Sequence, residues 1–125
     1  MKKMTSYANL EYVTVYFPTN DVHAKSILKV ETKISRFIIK NRPLRGREVQ
    51  FLRKTSMLSC EKLGSKMGIS GTTIFKWEKA PSKRLSPPNE AFVRLFFAEL
   101  LSISIGTSLK EMIPDKETEL ELKAS

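Results

Sequence analysis

The fold is decided by Leu58–Lys79, LSCEKLGSKMGISGTTIFKWEK. Its apolar residues are spaced as on the buried faces of two short helices. These residues are Leu63, Met67, Ile69, Ile74 and Trp77. Gly64 permits close approach of the two helices, and Gly68 suits a left-handed turn between them, which glycine adopts at low cost. The stretch therefore predicts a helix-turn-helix.

The second of these helices starts with small polar residues, Gly71–Thr73, and its large apolar residues come late. Such residues propagate a helix poorly and bury little surface. Ser59 and Ser70 are predicted to cap the two helices, and Glu61 suits the positive end of the first helix dipole. A helix that begins in this way is suited to enter a polar groove.

The flanking sequence predicts one strand and further helices. Glu11–Phe17 is β-branched and aromatic with alternating apolar residues, which indicates a strand in need of a pairing partner. An amphipathic helix follows over 22–41, with Asp21 as its N-cap and a stripe of apolar residues on one face. That stripe consists of Ile27, Val30, Ile34, Phe37 and Ile38. Arg45–Met57 predicts the next helix, and Ser108–Ile113 a short helical turn.

A last helix is predicted to start at Ser86 with two prolines in its first turn. Its sequence over 89–101, NEAFVRLFFAELL, is apolar on most faces. A self-association face and a crowded core both explain this excess. The acidic residues after Pro114 show no stripe and predict a mobile tail.

Composition excludes several classes of protein. The chain has 125 residues, which allows one domain with a single core. It has no apolar run of transmembrane length, and no apolar segment of an export signal follows its first lysines. One cysteine, Cys60, and one histidine, His23, exclude an internal disulfide and make a protein metal site unexpected. We therefore expect a cytoplasmic protein without cofactor or membrane.

Positive charge is concentrated in the middle of the chain. The net charge is +9, and Lys40–Arg84 alone carries twelve basic residues against three glutamates. This distribution favours contact with a polyanion. A solvated basic surface is the alternative, which charge alone does not distinguish.

The motif resembles the phage-repressor (XRE-type) DNA-binding family. The resemblance lies in Leu58–Lys79, in the preceding FLRK (Phe51–Lys54) and in the KR (Lys83–Arg84) of the next loop. The frame LRGREVQFLRK, FKWEK and FVRLFFAEL looks most like bacterial antitoxin-like regulators. The resemblance covers about Leu44–Leu101. It implies a mainly α fold, a five-helix helix-turn-helix domain at 44–113, with a strand and extra helix at 1–43 and the tail at 114–125.

In the resembled family the second helix of the motif lies in the major groove. Carried over, the groove-facing positions are Ser70, Gly71, Thr72, Thr73 and Lys76. Threonine can offer a hydroxyl to a base and a methyl to thymine, and lysine can donate to guanine or phosphate. Ordinary capping explains the threonines equally simply, and Lys76 can be a solvated lysine. Gly71 stands where the family commonly has a larger polar residue.

Candidates for phosphate contact lie at the edges of the motif: Ser59, Cys60, Lys83, Arg84, Arg45 and Lys54, with Arg47. Ser59 and the free amides of its helix start can hold a phosphate oxygen. Lys83 and Arg84 match the family's basic loop. Cys60 replaces a glutamine common in the family, so an inert, partly buried thiol is the alternative for it. Solvated charge is the alternative for Arg45, Arg47 and Lys54.

The resemblance also implies a structural ion pair. In the family an arginine of an earlier helix pairs with the glutamate that ends the recognition helix. Arg53 and Glu78 occupy these two positions.

The hypothesis from sequence is a homodimeric, sequence-specific regulator that binds double-stranded DNA, with a repressor as the expected type. The alternative is an antitoxin whose strand and first helix wrap a toxin protein and which autoregulates its operon. An enzyme is unsupported, because the sequence shows neither paired carboxylates on one face nor a phosphate loop. The sequence also lacks the aromatic stacking platform expected of a protein that binds single-stranded RNA.

Overall fold

A computed structural model describes residues 2–18, 24–106 and 118–124. Three strands, one 3₁₀ turn and five α-helices are found in these ranges. The strands are β1 (Lys2–Met4), β2 (Val13–Phe17) and β3 (Leu120–Lys123), and the 3₁₀ turn is Tyr7–Asn9. The helices are α1 (Ala24–Asn41), α2 (Gly46–Thr55), α3 (Cys60–Met67), α4 (Gly71–Lys79) and α5 (Pro87–Leu100). The prediction of a mainly α fold with an N-terminal strand is confirmed. The predicted cap Asp21 and the predicted turn Ser108–Ile113 lie outside the described residues.

The predicted strand lies at the centre of a small sheet of order β1-β2-β3. β1 pairs with it antiparallel, with Lys3 opposite Tyr16, and β3 pairs with it parallel, with Leu122 opposite Val15. The sequence analysis missed both partners. We predicted a mobile tail, but its described residues 118–124 contain β3, which is paired with β2 over Leu120–Lys123. Leu120 and Leu122 are half-buried there, while the residues between and after them are exposed, which is the alternation of a strand packed on one face.

One hydrophobic cluster runs through the described chain. Val13 and Val15 of β2 and Ile34 of α1 are fully buried in it together with Leu52 of α2 and Val93 of α5. The apolar stripe predicted for α1 faces this core. The described residues of 1–43 therefore share one core with those of 44–106.

Buried charges join α5 to the end of α1. Arg94, fully buried on α5, donates to the carbonyl oxygens of Ile39 at 2.6 Å and of Arg42 at 2.8 Å. Glu90, one turn earlier, accepts from Arg94 at 3.0 Å. The last carbonyls of a helix lack hydrogen-bond donors within the helix, and the Arg94 guanidinium donates to those at the end of α1. The contact fixes α1 against the helical core.

The helix-turn-helix forms as predicted. The Ser59 hydroxyl accepts from the Lys62 amide at 3.0 Å, and the Ser70 hydroxyl accepts from the Thr72 amide at 3.1 Å. Gly68 closes α3 with φ of 73°. At Gly64 an added Cβ would lie 2.6 Å from the Ile69 carbonyl oxygen, so only glycine allows α3 and α4 to approach this closely.

Candidate nucleic-acid interface

Helix α4 is anchored on one side and open on the other. Ile74 is fully buried and Trp77 is half-buried against the core. Thr72 and Lys76 are exposed, as is the capping Ser70, and Thr73 is half-buried. The polar start of α4 is therefore accessible, as the sequence predicted, and its apolar residues hold its back.

Gly71 does not belong to the accessible face. An added Cβ at this position would lie 2.9 Å from the Cα of Glu61 and 3.2 Å from the carbonyl carbon of Cys60. The position faces the backbone of α3, so the assignment of Gly71 to the groove-facing set is corrected. Its role is to let the starts of α3 and α4 meet, which a side chain would prevent.

Phe75 belongs to the open face, and the sequence analysis did not assign it there. Its side chain is 51% exposed, and the Lys79 ammonium lies 5.0 Å from its ring centre. Phe75 lies one turn after Thr72 and one turn before Lys79, so the three form one row along the helix. This spacing was visible in the sequence, where Phe75 was one of the late apolar residues of the helix but was given neither a core role nor a groove role.

Five exposed lysines lie on α3, on α4 and in the loop after α4: Lys62, Lys66, Lys76, Lys79 and Lys83. In the described part of the chain none of them forms an ion pair. Lys66 lines a cleft with Glu99 and Leu100 of α5. Lys62 and Lys66 were not among the predicted contacts, although both lie off the buried stripe of Leu63 and Met67.

Two arginines predicted as phosphate contacts hold buried carboxylates. Arg45 binds Glu48 at 2.6 Å and Glu11 at 2.7 Å, and these two acidic partners raise its pKa. Arg84 donates to both carboxylate oxygens of the fully buried Glu90, at 2.8 and 3.1 Å. The Arg45 side chain is 17% exposed and we assign it a structural role, whereas Arg84 is 38% exposed and its phosphate contact stays a prediction.

Two further basic candidates lie beside the N-terminal segment. Arg47 pairs with Glu11 at 2.8 Å and donates to the Ser82 hydroxyl at 2.7 Å. Lys54 is exposed at a cleft that it shares with Ala8 and Asn9 of the 3₁₀ turn. Lys54 therefore stays a candidate for phosphate contact, beside the five lysines of α3, α4 and the following loop.

Ser59 and Cys60 at the start of α3 differ in exposure. Ser59 is exposed, while Cys60 is half-buried with its Sγ 3.7 Å from Oε2 of Glu78. Burial and the Glu78 charge raise the pKa of the Cys60 thiol. A neutral thiol directed at an ion pair is a poor phosphate ligand, so Cys60 is also removed from that set.

The predicted pair between Arg53 and Glu78 is present. Arg53 donates to the two carboxylate oxygens at 2.6 and 2.7 Å, and to the Leu58 carbonyl at 2.9 Å. The side chains are 14% and 6% exposed. This pair joins α2 to the end of α4 and sets the angle at which α4 lies on the domain.

A cleft of about 300 Å³ lies at the other end of α4. Lys76 and Lys83 line it together with Ser86 and Asn89 from the start of α5. Because Pro87 and Pro88 at the start of α5 have no amide hydrogen, the donors at this cleft are the two lysine ammonium groups and the polar side chains of Ser86 and Asn89. This end of the face is suited to an anionic oxygen.

Comparison of the chain with protein-family models, curated proteins and solved structures found no match. No helix within the described ranges is long and apolar enough to cross a membrane.

Proposed function

We propose that this chain is a sequence-specific, double-stranded DNA-binding regulator, related to the phage-repressor type, with the first half of α4 in the major groove. One observation carries the proposal: α4 exposes Thr72 and Lys76 on the side opposite its buried Ile74. An α-helix fits the major groove, whose floor offers donors, acceptors and the thymine methyl. The side chains on the open face match these groups.

The five unpaired lysines supply the contacts that do not depend on sequence. Phosphate groups on both sides of a groove flank a helix inserted in it, and lysine binds phosphate as a point charge. Lys62 and Lys66 lie on α3 and Lys83 follows α4, so the elements before and after the inserted helix both carry exposed lysines. This arrangement supports a duplex as partner.

A second copy of the chain is proposed at α5. Phe92, Leu95 and Leu100 are all more than two-fifths exposed there, although α5 also contributes Val93 and Phe97 to the core. Exposed apolar residues on one short helix favour a protein contact. A two-fold dimer would present two copies of α4 to half-sites about one helical turn, roughly 34 Å, apart.

The antitoxin alternative relied on a strand and a first helix that were free to wrap a toxin. In the structure β2 buries Val13, Val15 and Phe17, and α1 buries Ile34 and Ile38 in the chain's own core. Their apolar faces are therefore already used. For this reason we favour a stand-alone regulator, with repression as the expected action.

Selection of bound duplexes from a random pool by the purified chain tests the proposal. We expect a two-fold symmetric site, and affinity for random duplex that falls steeply with salt. With about six phosphate contacts the log–log slope is near −5. Lys83→Ala should make the slope shallower by about one. Lys33→Ala, which removes an exposed lysine of α1, is the matched control and should leave the slope unchanged. Failure to enrich any sequence, with a slope near zero, would contradict the proposal.

Thr72 should contribute to discrimination and not to general affinity. Thr72→Ala is expected to relax preference at one position of each half-site by about 1–3 kcal/mol. Equal weakening on all duplexes would assign Thr72 to the phosphate backbone.

A further inference from the structure

The open face of α4 carries one large apolar side chain among polar and basic ones. Phe75 is half exposed, with Thr72 one turn before it and Lys79 one turn after it. The Lys79 ammonium lies 5.0 Å from the ring centre. The ring does not belong to the hydrophobic core of the described chain, so it is available to an apolar group of a ligand that this face binds.

The surroundings of the ring indicate where on a duplex it would lie. Phe75 and Thr72 border a shallow cleft whose opposite wall is formed by Cys60 and Glu61 at the start of α3. Glu61 is exposed, so its carboxylate would repel a phosphate at this place. A base edge carries no such charge. The cleft is therefore suited to the groove floor and not to the backbone.

We propose that Phe75 is a specificity residue that recognises the C5-methyl group of a thymine in each half-site, with the methyl of Thr72 beside it. The inference rests on the proposed DNA-binding function. Thymine is the base that presents an apolar group in the major groove, and phenylalanine is among the side chains that contact it. The preferred site therefore contains a thymine whose methyl group, not only its hydrogen-bonding edge, contributes to affinity.

A protein partner is the competing occupant for an exposed aromatic ring. The neighbours of Phe75 on α4 argue against it, since Thr72, Lys76 and Lys79 are polar or charged. The exposed apolar residues that could continue such a contact, Phe92 and Leu95, belong to α5. An interface core is depleted in charged residues, and this face is not.

The test uses the duplex obtained by selection and replaces its thymines one at a time by deoxyuridine, which removes only the methyl group. For the unmodified protein, each half-site should contain one thymine whose single replacement weakens binding about fourfold, the value of one buried methyl-sized group. Phe75→Ala should bind the thymine and deoxyuridine duplexes equally. Leu28→Ala, which truncates an exposed apolar side chain of α1 outside the proposed DNA and dimer contacts, is the matched control and should keep the fourfold difference. At the same position a 5-methylcytosine pair should bind better than a cytosine pair.

The outcomes separate this inference from the function on which it rests. If a site is selected but deoxyuridine has the same effect on Phe75→Ala as on the unmodified protein, DNA binding stands and the role of Phe75 is overturned. If Phe75→Ala keeps the methyl preference and changes its elution volume on gel filtration, the ring belongs to a contact between copies. If no duplex is selected, both proposals fail. Thermal denaturation of Phe75→Ala should match the unmodified protein, because the ring is half in solvent.

Discussion

Replacement of Arg53 by alanine should unfold or loosen the domain before it affects any base contact. The guanidinium makes three hydrogen bonds, two of them to Glu78 at 2.6 and 2.7 Å. Beside Arg53 the Glu78 side chain is 6% exposed, and without the guanidinium its carboxylate keeps, within the described chain, the weak contact of the Cys60 thiol at 3.7 Å. Stranding one member of a buried pair costs about 3–5 kcal/mol. Arg53 itself is 14% exposed, and we place the loss in the lower half of that range.

For a chain of this length the loss corresponds to a fall of roughly 10–15 °C in melting temperature. Differential scanning calorimetry or circular dichroism at 222 nm measures it. Arg36→Ala, which removes an exposed arginine of α1, is the matched control and should change the melting temperature little. Arg53→Leu combined with Glu78→Leu should recover most of the loss, because two apolar side chains leave no buried charge behind.

Either of two results would refute this account of Arg53. An Arg53→Ala protein that melts at the temperature of the unmodified chain but no longer binds DNA would show that Arg53 acts on the nucleic acid. A double leucine variant that is no more stable than Arg53→Ala would show that packing, and not the stranded charge, determines the cost.

Three further predictions concern the turn, the tail and the thiol. Gly64→Ala should destabilise the chain by about 1–3 kcal/mol, because the added Cβ meets the backbone of Ile69 and Gly71. At Gly68 an added Cβ meets nothing within 4 Å, so Gly68→Ala should cost only the strain of a left-handed backbone, about 1 kcal/mol. Urea denaturation that gives the reverse order of stability would contradict the assigned contact between α3 and α4. Truncation after residue 117 should lower the melting temperature, because it removes the β3 strand that pairs with β2 and the Thr118 carbonyl that accepts from Arg42. A mobile tail would instead leave the melting temperature unchanged. Burial and the charge of Glu78 raise the pKa of the Cys60 thiol, so less thiolate is present at pH 8 in the folded chain than in the unfolded chain. Iodoacetamide should therefore modify the folded chain more slowly than the chain in urea. Equal rates would show that the thiol is freely exposed.

Local chemistry explains why the helices were predictable. α1 has an apolar stripe, α3 and α4 have serine caps, and α5 starts at two prolines. Each of these signals acts within one or two helical turns, so it is visible in the sequence. The same holds for the accessible face of α4, because residues off the Ile74–Trp77 stripe must point away from the core.

The role of each arginine depended on contacts distant in sequence. Arg45 pairs with Glu11, 34 positions away, and Arg94 donates to carbonyls more than fifty positions away. A basic residue near a binding motif has the same appearance in a sequence whether it faces solvent or a buried carboxylate. Only the packing of β2, α2 and α5 showed which cations were already neutralised and which lysines remained available.

The pairing of β3 and the need for glycine at position 71 also depend on contacts between segments that are distant in sequence. β3 pairs with β2 across more than a hundred residues, and such pairing has no local signal beyond a short alternation. Gly71 was assigned to the groove from its position at the helix start, although glycine is needed there because an added Cβ would lie 2.9 Å from the Cα of Glu61 in α3. The sequence by itself determined which segments are helical and which face of α4 is open, since turn chemistry and apolar periodicity are local. Tertiary structure alone decided which charges are free, where the last strand pairs and why Gly71 must be small, because these properties belong to surfaces that meet only when the chain is folded.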